Sequence, residues 1–163
     1  MATVDVSNGI NAGTHPSRAI RKEPYKVEVD LNLATATTTK GSALASADVL
    51  QVIDVPAQTM IWAAGLEVVT PNDGDFQVDI GTGANPDAFA DNFDCDGTST
   101  GDMTAIPAAY SPIVVSADDT IDVVIGPTAG SADPTTGVWR VYAVMQDVSN
   151  DLGPDEVDRD QLA

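Results

Sequence analysis

The segment YKVEVDLNL, residues 25–33, alternates apolar and polar side chains without a fault, and a period of two admits one local structure. Tyr25, Val27, Val29, Leu31 and Leu33 fall on one face of an extended strand, and Lys26, Glu28, Asp30 and Asn32 on the other. A helix would scatter the same residues around its whole surface. Short runs of similar kind recur between turn formers. VLQVIDV (49–55) stops at Pro56, and MIWAAGLEVVT (60–70) stops at Pro71-Asn72-Asp73-Gly74. FQVDIG (76–81) follows that turn, so residues 60–81 are expected to form a hairpin. PIVVS (112–116) and TIDVVIG (120–126), separated by Ala117-Asp118-Asp119, are expected to form another. VWRVYAVMQDV (138–148) is a long strand with Val138, Arg140, Tyr142 and Val144 opposite Trp139, Val141, Ala143 and Met145. DAFADNFDCD (87–96) is either a short helical turn or an irregular edge strand, and ATATTTKGSALASA (34–47) reads as a long surface connection.

Seven or eight strands, with ten prolines and thirteen glycines at the breaks and no long helical period, define an all-β chain. Its 163 residues, 43% of them hydrophobic, suffice for one domain with a real core. The expected architecture is a single β-sandwich or jelly roll over residues 25–148. Residues 1–24 contain Gly9, Gly13, Pro16 and Pro24, lack periodicity, and are expected to form an extended N-terminal arm. Residues 149–163 read as an acidic, solvated C-terminal tail. Strands 49–55 and 120–125 are apolar on both faces, which implies a second face packed against another subunit.

Charge narrows the partners. The chain has 25 acidic and 7 basic side chains, a formal charge of −18. Gripping nucleic acid needs a basic face, and an anionic membrane repels such a chain, so neither is an expected partner. The longest apolar run, residues 60–69, is broken by Glu67 and is too short to span a bilayer. MATVDVSNGI lacks a basic region followed by an apolar one, so no signal peptide is expected. Of the acids 21 are Asp, while Lys occurs three times, a composition suited to concentrated salt, where a short Debye length screens self-repulsion. The alternative is an acidic surface in ordinary salt. Residues 1–40 carry five bases and four acids, whereas residues 41–163 carry two bases and 21 acids. Arg18, Arg21, Lys22 and Lys26 form the one basic cluster. It reads either as ordinary surface charge or as an arm that docks on a partner's sheet edge.

Catalytic chemistry finds little to work with. His15 is the one histidine and sits in the Gly/Pro arm, which closes the His-cluster metal sites of cupin-type jelly rolls. Cys95 is the one cysteine, so no intrachain disulfide and no Cys-based zinc site is expected. Asp94 and Asp96 flank it and are expected to raise its pKa. Paired carboxylates are too common to mark a glycosidase, and aromatics are only 5% of the chain. Trp62 and Trp139 lie in strand patterns, where the core is their default place. Asn92-x-Asp94-x-Asp96-Gly97 copies half an EF-hand loop, but Met103 stands where a bidentate Glu is required. A loose calcium or sodium site from Asp91, Asp94, Asp96 and Asp102 stays open beside simple loop charge, and no metal or other cofactor is assigned. No catalytic residue is assigned, and the chain is not expected to be an enzyme.

Residues 60–95 resemble a pattern of small structural proteins of tailed viruses: a strand ending G-x-E-V-V-T, a strand ending D-x-G, and a D-x-F-x-x-x-x-D segment. DTIDVVIG and GVWRVYAVMQDV are similar to the closing strands of the same proteins, so the resemblance covers roughly residues 50–147. It implies a head decoration (cement) protein of a phage or haloarchaeal virus. Such a protein sits on the capsid exterior as a homotrimer of β-sandwich or jelly-roll subunits and stabilises the major capsid protein lattice. On that reading Arg18, Arg21, Lys22 and Lys26 are the capsid-binding residues. The competing expectation is a tail- or fibre-associated module that binds a host surface glycan, and it calls for a solvent-exposed Trp62 or Trp139.

Overall fold

The alternation that opens at Tyr25 folds as expected, into a strand with Val27, Val29 and Leu31 buried and Lys26, Glu28 and Asp30 exposed. The computed structural model describes residues 3–5, 23–74, 76–95, 99–105, 111–126 and 134–149. Arg18, Arg21, Lys22, His15, Asp96 and the tail beyond residue 149 lie outside the described residues. In chain order the elements are β1 (Thr3–Asp5), β2 (Tyr25–Asn32), α1 (Leu33–Lys40), β3 (Val49–Val55), β4 (Thr59–Thr70), β5 (Gln77–Gly81), β6 (Ala90–Asp94), β7 (Ile113–Val115), β8 (Asp119–Ile125) and β9 (Val138–Asp147).

The antiparallel pairs are nested: β2 with β9, β3 with β8, β4 with β7, and β5 with β6. First pairs with last, second with next to last, and so inward, as in one long hairpin wrapped around a barrel. Two further pairs, β4 with β9 and β5 with β8, join these into sheets ordered β2-β9-β4-β7 and β1-β3-β8-β5-β6. This is the eight-stranded double-sheet jelly roll, an all-β sandwich, with β1 added in parallel on the β3 edge. The residues of β1 belong to the segment expected to form the arm. Here their main chain pairs with Val49, Leu50 and Gln51 of the same chain.

Between the sheets lie Trp139, Phe76, Phe89 and a set of fully buried Leu, Ile and Val side chains. The Phe76 and Trp139 rings pack with centroids 5.5 Å apart. On β9, Trp139, Val141, Ala143 and Met145 point inward, as the alternation requires. The apolar character of β3 on both faces is largely internal. A bulge between Gln51 and Ile53 shifts the register, so that Val52 and Ile53 are both buried. Only Val49 and its cross-strand partner Val124 are left half-buried on the outside.

Three local expectations are corrected. Residues 60–81 do not form a hairpin: β4 and β5 lie in opposite sheets, and the connecting residues pass from one to the other. The turn is held across the molecule instead of closing on itself. The Asp73 carboxylate accepts hydrogen bonds from Thr135 N and Thr136 N, both at 2.9 Å, and from the Thr135 hydroxyl at 2.6 Å. Residues 112–126 likewise span the two sheets, because β7 pairs with β4 and β8 with β3 and β5. Asp118 ties that connection to the β3–β4 turn by accepting from Ala57 N at 2.9 Å. The stretch 34–47, expected as a surface connection, begins with helix α1. Asn32 caps its start by accepting from Thr35 N at 3.1 Å, and Gly41, at φ 81°, closes its end by donating to Thr37 and Thr38 carbonyls. Threonine is a poor helix former, and what holds the helix is the burial of Leu33 and Ala36 together with Lys40, which pairs with the buried Asp48. Of the two readings of residues 87–96, the irregular edge strand is the one formed, as β6, with Asn92 at φ 53° in its bulge.

Candidate docking face

A jelly roll has two outer faces, and here they differ in kind. Strands β3, β5, β6 and β8 contain six aspartates and no base. By cross-strand register, Asp54, Asp79, Asp94 and Asp122 face outward from that sheet. On the other sheet, β2, β9 and β4 face outward with Lys26 and Arg140 against Glu28, Asp30 and Glu67. That face is close to neutral.

Its polar end is a cross-strand ladder. Arg140 stands opposite both Asp30 and Glu67, with Nε 3.0 Å from Asp30 Oδ1 and Nη1 3.6 Å from Glu67 Oε2. Asp30 above all, then Glu67 and Glu28, holds the guanidinium more firmly protonated than usual. One row on, Tyr142 lies over Gly65, where an added Cβ would sit 2.7 Å from the phenol oxygen and 2.5 Å from Thr104 Oγ1. Gly65 is therefore the residue that lets the ring lie flat against β4. Lys26 pairs with Glu28 and sets its ammonium 5.5 Å from the Tyr142 ring centroid.

The far end is apolar. Met60 lies opposite Val114, a bulge places Trp62 beside Ala63, and Ala63 lies opposite Val144. Trp62 is 41% exposed and Val114 49%, and the Trp62 indole donates to Gln146 Oε1 at 2.9 Å. Met103, 52% exposed, bridges to Glu67 on the same edge of β4. Thr104 N donates to Leu66 O and Val68 N to Asp102 O, so residues 102–104 continue the edge that β7 begins. These three are the exposed large hydrophobic side chains among the described residues, and register puts all of them on one face.

Of the bases singled out in the sequence, the structure places Lys26, on this face and already paired, so the described residues do not assemble the basic cluster. Trp139 is core, as expected; Trp62 is not, which corrects its default placement. The signal was available, since Met60 and Trp62 alternate with the buried Ile61. Val114 and Met103 could be found only through long-range register. Of the acidic loop, Asp96 lies outside the described residues. Asp91 and Asp94 lie on β6, Asp102 lies along the opposite sheet with its carboxylate on Ser99 N, and among the described residues no three metal-ligating side chains cluster. Cys95 is buried, and burial first, with Asp94 second, pushes its thiol up to about 12. Burial outweighs the flanking charge that the sequence put forward.

No protein-family model matches the chain, and no curated protein matches it in sequence. What the architecture defines is a class, the eight-stranded jelly roll, and solved structures of that likeness exist. The chain is similar to a chain in the capsid of Ralstonia phage GP4, 16% identical, with a TM-score of 0.57, covering 92% of this chain and 100% of that one. More distant likenesses are to a chain of the cyanophage Pam1 capsid asymmetric unit (14% identical, TM-score 0.46, 76% and 83% covered) and to one of the capsid of Helicobacter pylori bacteriophage KHP30 (12%, 0.45, 75% and 85%). At 16% identity and a TM-score of 0.57, what the chain shares with the Ralstonia phage GP4 capsid chain is the fold.

Proposed function

We propose that the protein is a virion structural protein, a decoration protein that binds and stabilises a lattice of major capsid protein from the capsid exterior. The observation that carries this is the end-to-end likeness to a phage capsid chain, which covers all of that chain and 92% of this one. The gathering of exposed apolar side chains on one sheet face is what a protein that works by assembly needs, whether with its own copies or with a lattice, whereas a catalyst needs converging polar groups. The proposed unit is a homotrimer in a high-salt medium. The work it does is binding: three arms, each with Arg18, Arg21 and Lys22 and rooted beside Lys26 at the start of β2, engage the lattice together, and effective concentration multiplies their modest affinities.

The test is rebinding. Recombinant protein incubated with particles stripped of it is expected to co-sediment with the heads and to raise their disruption temperature. A variant carrying R18E, R21E and K22E, which keeps β1 intact, is expected to fold and to lose co-sedimentation. Absence of the protein from the heads in a cryo-EM map of native particles would sink the reading; full binding by the charge-reversed variant would sink the role of the arm. A second reading, a host-recognition module binding a surface glycan, is favoured by the exposure of Trp62. Its weakness is local: Met60, Ala63, Val114 and Val144 around that indole supply no hydrogen bonds for a sugar.

A further inference from the structure

We infer that the outer face of the β2-β9-β4-β7 sheet, centred on Trp62, Met60 and Val114, is the contact between copies of this chain. The inference rests on the proposed trimer and supplies a surface for it, and its main readout is the size of the isolated chain in solution.

Two copies of a chain at −18 repel, and the repulsion is worst wherever acids meet acids. The β3-β8-β5-β6 face carries Asp54, Asp79 and Asp94 outward with no base on its strands, so it suits a cationic partner or open solvent. The β2-β9-β4-β7 face is the reverse. Its two bases are each already held by acids of the same face, through the Arg140 ladder and the Lys26–Glu28 pair. It therefore offers neither a spare positive charge for an acidic ligand nor a row of acids on strands without a base. A face that cancels its own charge and exposes Trp62 at 41% and Val114 at 49% is fitted to a partner of the same negative sign. Another copy of this chain is such a partner. Tryptophan near the centre of an apolar patch is also the residue type that most often dominates an interface.

The experiment is sedimentation velocity on the isolated full chain in molar KCl, with wild type, Trp62→Glu, Val114→Glu and, as a control on the acidic face, Asp79→Asn. Wild type and D79N are expected to sediment as the same oligomer. W62E and V114E are expected to dissociate to monomers, with apparent dissociation constants raised at least about 30-fold. Far-UV circular dichroism separates dissociation from unfolding. Should W62E unfold, the tryptophan emission of wild type supplies the second readout: over the constant background of the buried Trp139, it must shift to the red as the oligomer is diluted to monomer, and an emission independent of dilution overturns the inference. A wild-type monomer at about 100 μM, or W62E at wild-type size, overturns it as well. W62E that keeps its oligomeric state but no longer binds stripped particles would assign this face to the capsid lattice and not to a second copy.

Discussion

Two aspartates show how one residue type takes opposite roles in the same chain. Asp122 is almost completely buried on the outer face of β8, holds the Thr120 hydroxyl at 2.5 Å, and stands near Asp119. Burial raises its pKa from 3.8 to about 6, with Thr120 opposing and Asp119 adding to the rise. A carboxyl that binds its proton more tightly when folded destabilises the fold while ionised. Its penalty is therefore full above about pH 6, is relieved as pH falls from 6 toward 3.8, and is gone below. Asp122→Asn keeps an acceptor for Thr120 and removes the charge. The variant is expected to be more stable than wild type by about 2 kcal/mol at pH 7, with the difference vanishing near pH 4. Urea unfolding of both proteins across that range is the check; a difference unchanged at pH 4 would show that the carboxylate costs nothing. Acidification also discharges the rest of this acidic surface, which is why the comparison with the variant, and not the wild-type curve alone, isolates Asp122.

At the scale of elements, Asp73 joins the β4–β5 connection to the loop before β9. The Thr135 hydroxyl, and the Thr135 and Thr136 N–H groups, hold its carboxylate below the usual range. A lowered pKa stabilises above the unfolded value and is lost as pH drops through and below it, the reverse of Asp122. Asp73→Ala is expected to cost about 1 kcal/mol at pH 7, since the carboxylate is exposed and its bonds resemble a helix cap. Thermal melts would read this, and an unchanged midpoint refutes it. The same link shows what was legible in the sequence. Alternation reported each strand and its buried face correctly on β2 and β9, because burial of one face is a local, period-two property. Pro71-Asn72-Asp73-Gly74 reported a chain reversal. It could not report that the reversal leads to the opposite sheet, because the deciding bonds come from residues sixty positions away. Helix α1 was illegible for another reason: its threonines argue against it locally, and the packing of Leu33 and Ala36 overrides them. On the candidate face Trp62 could be read from the parity of β4, whereas Val114 and Met103 needed the β4–β7 and Glu67–Met103 registers.

The whole molecule is governed by where its charge of −18 sits. Along the sequence the contrast runs between residues 1–40 and the body; in the fold it runs between the two sheet faces. One carries outward-facing aspartates on strands that contain no base, and the other is balanced and partly apolar. Salt must therefore act on the two faces differently. At 1 M the Debye length shrinks to about 3 Å, which screens repulsion among the aspartates and also weakens the solvent-exposed Arg140 ladder, whose contacts are 3.0 and 3.6 Å. Folding and self-association should both tighten as KCl rises, since the repulsion relieved across a chain of charge −18 outweighs the little that exposed ion pairs contribute. If screening returns about 3 kcal/mol, the melting midpoint should climb by roughly 6–12 °C between dilute buffer and molar KCl. Sucrose at matched osmolality is the control, because it strengthens burial without screening charge. A midpoint that climbs with KCl well beyond the sucrose series, together with a larger sedimenting species, is the expected outcome. A midpoint that is flat or falls with KCl would mean that the aspartate face carries no repulsion to relieve, and the high-salt reading of this composition would fall with it.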